Sequence, residues 1–142
     1  ERFSLVSINC ENWVSKNMEG HEIMTFGYND GVDVRIQVDD DFGKVMEKLP
    51  CEWKPDVCVL WEADWNLLPR GIENAPFPTV AIAWDWDYDV SFAKGIFEST
   101  DFAIALADFE KDAMRAIGAA NVEVYNRRYE RVFFFKSQKN KE

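Results

Sequence analysis

Three stretches of the chain run apolar without alternation: residues 57–61 (VCVLW), 79–84 (TVAIAW) and 102–106 (FAIAL). Central strands of a parallel sheet read this way, because helices cover both of their faces. Residues 3–8 (FSLVSI) predict a fourth strand, and residues 122–125 (VEVY) a shorter fifth. Residues 23–28 and 32–38 flank Asn29-Asp30-Gly31, a turn sequence that predicts a hairpin at one sheet edge. Between these strands the apolar spacing becomes helical. Phe42, Val45, Met46 and Leu49 fall at i, i+3, i+4 and i+7. Asp39, Asp40 and Asp41 stand at the start of that segment and Pro50 follows its end. A carboxylate there caps free N–H groups and meets the positive end of the helix dipole, which favours a cap over a calcium site. Phe109, Ala113, Ala116 and Ile117 mark a second helix, with Asp108 at the cap and Gly118 at the stop. Val90, Ala93, Ile96 and Phe97 predict a third, and residues 11–19 a short one closed by Gly20.

Strand and helix therefore alternate, which predicts an α/β layer sandwich with a mainly parallel sheet. Right-handed crossovers gather the loops that follow the strands along one edge, where ligands bind in open sheets. Three loops qualify: Asn9-Cys10-Glu11-Asn12-Trp13, Glu62-Ala63-Asp64-Trp65-Asn66 and Asp85-Trp86-Asp87-Tyr88-Asp89. The last two are dense in carboxylates and aromatic rings. Sugars suit such a surface, since an aromatic face packs the C–H side while carboxylates and amides take the hydroxyls. Clustered carboxylates can also raise one another's pKa and leave one poised as a general base. The plainer alternative makes Trp61 and Trp84 core residues and the carboxylates solvated helix caps. Asp85-Trp86-Asp87 is also a DxD, a spacing that can hold a divalent ion. With thirteen Asp in the chain one such spacing arises by chance, and Asp39-Asp40-Asp41 matches it too, so no metal is expected. His21, the sole histidine, precedes the second strand, on the edge away from a ligand, and is expected to be structural.

Composition narrows the chemistry further. The chain has 142 residues, 47% hydrophobic and 30% charged, enough for one globular domain. A net charge of −10 disfavours nucleic acid and anionic lipid as partners. No apolar run approaches the roughly 20 residues that span a bilayer. Cys10, Cys51 and Cys58 show neither a disulfide framework nor zinc-knuckle spacing, so free thiols in a reducing cytoplasm are expected. One histidine excludes a multi-His metal centre. Neither GxGxxG after a strand, nor GxxxxGK[ST], nor GxSxG is present, so dinucleotide, P-loop and hydrolase signatures are absent and no cofactor is expected. Asn9 and Cys10 after the first strand disfavour a phospho-receiver site. Glu1 in place of Met makes a piece of a longer protein the expectation.

The order of these motifs resembles a known family. Gly20-His21-Glu22-Ile23 leads into the second strand; Pro55-Asp56-Val57 through Trp61-Glu62-Ala63 follows, then Pro78-Thr79-Val80-Ala81 and the Asp85-Trp86-Asp87 loop. Ser99-Thr100-Asp101-Phe102 and Gly118-Ala119-Ala120-Asn121-Val122 complete the series. Over about residues 3 to 125 this is similar to the amino-terminal Rossmann-like domain of bacterial GT-B-type glycosyltransferases. The resemblance implies a three-layer Rossmann-like sandwich that presents a sugar acceptor, with the nucleotide-sugar donor held mainly by a second, carboxy-terminal domain. It implies Asp85 and Asp87 as catalytic candidates, and Asn9, Glu11, Glu62, Asp64, Trp65 and Trp86 as substrate-binding ones, with no bound metal. An isolated half of that kind is expected to be inactive. The alternative is a stand-alone α/β ligand-binding or regulatory module.

Residues 1–126 carry ten basic and twenty-four acidic side chains, and residues 127–142 six and two. A domain of net charge −14 is thus followed by a tail of +4. Val132-Phe133-Phe134-Phe135 within the tail would be costly to expose. A terminal helix docking on its own sheet is the favoured expectation; a further domain, or a second copy in a homo-oligomer, are the others.

Overall fold

The computed structural model describes residues 2–7, 20–61, 63–64 and 68–125. Along the chain lie β1 (Arg2–Ser7), β2 (His21–Gly27), β3 (Val34–Arg35), α1 (Phe42–Lys48), β4 (Val57–Leu60), β5 (Thr79–Ile82), α2 (Val90–Glu98), β6 (Phe102–Ala105), α3 (Asp108–Ala116) and β7 (Val122–Val124). The strands form one sheet in the order β3-β2-β1-β4-β5-β6-β7, every neighbouring pair parallel. This is an α/β fold with an all-parallel sheet, as the alternation predicts, and is consistent with a Rossmann-like three-layer sandwich; the three described helices pack on one face. Strand order reverses between β1 and β4, and at such a switch point the following loops diverge and leave a crevice.

Helix starts follow the predicted chemistry. Asp41 Oδ1 accepts from Lys44 N–H at 3.1 Å to cap α1, and Asp40 takes both Gln37 N–H and Lys48 Nζ at 2.9 Å. The acidic triplet is thus a cap with an ion pair beside it. Asp89 Oδ1 caps α2 through Phe92 N–H at 3.0 Å. At α3 the cap position belongs to Ala107, not Asp108, and the free amides of Leu106 and Ala107 donate instead to Glu110 at 2.7 and 3.0 Å. The predicted phase of that helix is also displaced: Met114 is its buried residue, whereas Phe109 is 80% exposed. The predicted helix over 11–19 lies outside the described residues; Gly20 takes the left-handed conformation, φ 75°, at the turn into β2.

The predicted edge hairpin is not formed. β3 runs parallel to β2, with Phe26 opposite Val34 and Gly27 opposite Arg35. The reason is a side chain. Asp33 Oδ2 accepts from Thr25 N–H at 2.8 Å and Thr25 Oγ1 at 2.9 Å, and Asp33 N–H donates back to Thr25 Oγ1 at 3.1 Å. The chain has therefore looped back to the middle of β2 before β3 begins.

The same device recurs at other strand starts. Asp56, just before β4, accepts Phe3 N–H of β1 at 2.8 Å and returns its own N–H to Phe3 O. Asp101, just before β6, accepts Thr79 N–H at 2.8 Å and Thr79 Oγ1 at 3.0 Å, while its N–H donates to that hydroxyl at 3.0 Å. Asn121, just before β7, donates Nδ2 to Asp101 O at 2.9 Å. Each clamp ties the start of one strand to its neighbour. Thr79 is 1% exposed, so Asp101→Ala strands a buried amide and hydroxyl. The expected loss is about 2–3 kcal/mol, read as a lowered urea midpoint, with Asp101→Asn intermediate.

The core lies on one face of the sheet. Leu5, Phe26, Cys58, Leu60, Ala81, Ala103, Ala105 and Val122 from the strands meet Phe42, Val45, Ala93, Ile96, Phe97 and Met114 from the three helices. Trp53, 7% exposed, closes this cluster beneath β1, edge-on to Phe3 at 5.6 Å with Nε1 donating to Glu22 at 2.9 Å. The expectation that the central strands are buried on both faces needs correction. In β4 and β5 burial alternates: Cys58, Leu60, Thr79 and Ala81 are buried, whereas Val59, Val80 and Ile82 are only half-buried.

Candidate functional site

The two acid-and-aromatic loops do meet, at the carboxyl ends of β4 and β5. Ala63 N–H donates to Ile82 O at 2.9 Å, which lays the β4 loop against the end of β5. Asp85 N–H then donates to Asp64 Oδ2 at 2.6 Å. Asp64, Asp85, Tyr88, Asp89 and Phe92 line one small crevice above α2. Asp85 and Asp87 are exposed, on the 84–88 turn. Trp86 is half-buried and packs against the core cluster, so it presents only part of its ring to solvent. Asn9, Glu11, Glu62 and Trp65 lie outside the described residues.

Asp64 is the electrostatically distinct member. Its Oδ1 is buried and has no hydrogen-bond partner among the described residues. Desolvation pushes its carboxyl above the usual range; nearby backbone amides pull it down, and the Asp85 charge pushes it up further. A carboxyl so placed holds its proton to higher pH than a solvated one. The folded state consequently binds this proton more tightly than the unfolded chain, so stability falls as pH rises from the ordinary carboxylate value through the raised one. Asp64→Asn keeps an acceptor for Asp85 N–H and removes the charge. It is expected to be more stable than the parent at pH 7, with the advantage vanishing towards pH 3; paired urea titrations read the difference.

His21 opens β2 opposite Arg2, at the other edge of the sheet, as the sequence predicts. Cys58 is buried and its thiol is pushed far up by desolvation, so it is no nucleophile; Cys51 is exposed. Among the described residues no group of three or more His, Cys, Asp or Glu converges to hold a metal, and no helix is long and apolar enough to cross a membrane.

A second feature escapes the sequence reading. Trp61 and Trp84 are not core. Their rings meet edge-on at 5.8 Å, and Tyr125 continues the row at 6.4 Å from Trp84. With Val59, Val80, Ile82, Ile104 and Leu106 they line an apolar groove of about 460 Å³ on the sheet face opposite the helices. A sequence signal for it exists. Apart from Leu60, the helix side of these strands carries Cys, Thr and Ala, which allow close helix approach, while the other side carries Val, Ile and Trp.

No family model matches the chain, and no curated protein or solved structure is significantly similar to it.

Proposed function

We propose that this chain is the acceptor-side domain of a two-domain glycosyltransferase, which moves a sugar from a nucleotide-sugar donor held mainly by a second domain. One observation carries the reading: carboxylates from the β4 and β5 loops converge beside the switch point of an all-parallel sheet, with Asp64 held at a raised pKa against Asp85. Glycosyl transfer needs a base to take the acceptor hydroxyl proton, and exposed carboxylates beside aromatic rings suit the hydroxyls and C–H faces of a sugar. Asp85 and Asp87 face solvent and are the groups that meet the acceptor; Asp64 sits behind Asp85 and sets the local field. Asn9, Glu11, Glu62 and Trp65 complete the acceptor surface in this proposal, and no metal is invoked.

Titration of the 142-residue chain with a panel of mono- and oligosaccharides, followed by amide NMR, tests it. Weak binding with shifts confined to residues 61–64 and 84–89, and none with nucleotide sugars, is the expected result. Tight nucleotide-sugar binding by this chain alone would contradict the placement of the donor. Silence across the whole glycan panel would favour a stand-alone module with another ligand.

A further inference from the structure

We infer that the apolar groove over β4, β5 and β6 is the seat of the chain's own carboxy-terminal segment, residues 126–142, with Val132-Phe133-Phe134-Phe135 as its anchor. Val59, Trp61, Val80, Ile82, Trp84, Ile104 and Leu106 are only half-buried, in contrast to the helix-facing side of the same strands. On the same sheet face Val6 and Thr25 of β1 and β2 are 6% and 2% exposed, so the open area begins at β4. None of Val59, Val80, Ile82 or Ile104 belongs to the core cluster formed with the helices. Large apolar side chains in a contiguous patch of this kind call for a covering element.

Three observations select the tail as that element. Tyr125, the residue at which the described chain ends, is itself a wall of the groove, so the segment leaves the sheet at the site it would fill. The reach is sufficient. From β7 to β4 is three strand spacings, roughly 14 Å, and the nine residues from Tyr125 to Phe134 cover about 14 Å as a helix or about 30 Å extended. The charges are complementary as well. The tail carries Arg127, Arg128, Arg131, Lys136, Lys139 and Lys141 against two acids. Glu123, opposite Ile104 in the register and hence on the groove face, places an acid on that side of the sheet. The aromatic triplet fills the trough and a flanking cation reaches Glu123.

A disulfide trap tests this independently of any sugar chemistry. Ile104→Cys and Phe134→Cys are introduced together into the full chain with Cys10→Ser and Cys51→Ser, and mild oxidation is followed by peptide mapping. A 104–134 link within monomers is expected as the major product. A link found only in covalent dimers would overturn the inference in favour of a second copy on the groove, and no link would overturn it outright. Because the trap variant can fail to fold, a second measurement uses Phe133→Asp/Phe134→Asp/Phe135→Asp in the otherwise unaltered chain. Hydrogen exchange of peptides covering 79–84 and 102–106 is expected to quicken about tenfold as the cover lifts; unchanged exchange overturns the inference.

Discussion

On the proposed glycosyltransferase reading, Asp85→Asn in the full-length enzyme is expected to lower kcat by roughly 10²- to 10⁴-fold, the range that loss of a general base produces. Its melting temperature should stay within about 1 °C of the parent, because substitutions of exposed side chains usually cost little. The Asp85 side chain is exposed, and the substitution leaves in place the backbone N–H that donates to Asp64 and the carbonyl that accepts from Tyr88 N–H. Asp87→Asn, two residues on in the same turn, separates the two carboxylates: the base is the one whose loss removes the acidic limb of the kcat–pH profile. Full turnover in both variants would make the turn a structural cap and nothing more. KM for the acceptor is the companion reading, since a residue that only binds raises KM and leaves kcat in place.

The largest effect on stability is expected at Phe97. This ring, on α2, is 1% exposed in the core cluster between the helices and the sheet. Phe97→Ala opens a cavity that its neighbours fill only in part, for a loss of about 3–5 kcal/mol. At this chain length the melting temperature should fall by roughly 10–17 °C. Phe109→Ala is the control. Its ring is 80% exposed on α3, and the change should stay within about 0.5 kcal/mol. Equal losses at the two positions would mean that the helix phase described for α3 is wrong.

The contrast between these two phenylalanines shows where sequence reading works. Phe97 belongs to a run, Val90, Ala93, Ile96 and Phe97, whose spacing places one face inward, and three of its four members are buried. Phe109 shares a plausible spacing with Ala113 and Ala116, yet alanines are indifferent to burial and gave the pattern no phase; Met114 settles it by packing. The unbroken apolar strands correctly announced a parallel sheet, although only their helix-facing side is fully buried. They concealed an alternation in size. Side chain–backbone clamps were equally hidden, since an Asp before a strand reads as turn chemistry until its partner two or more elements away is known. Asp33 is the clearest case: it converts a turn sequence that favours a hairpin into a parallel return. The meeting of Asp64 with Asp85 was legible, because both follow adjacent strands and topology alone brings their loops to one edge. The raised pKa of Asp64 was not, because it depends on burial of a single oxygen.

The clamps made by Asp56, Asp101 and Asn121 fasten the sheet at the starts of its strands, while Asp64, Asp85 and Asp87 stand at the opposite ends. Cohesion and the candidate site are thereby stationed on different borders of the same sheet. Residues on the carboxyl-end border can be exchanged one at a time without loosening the seam that keeps the strands in register. A library randomised over 85–88 should accordingly yield mostly folded members, whereas one randomised at 56, 101 and 121 should not.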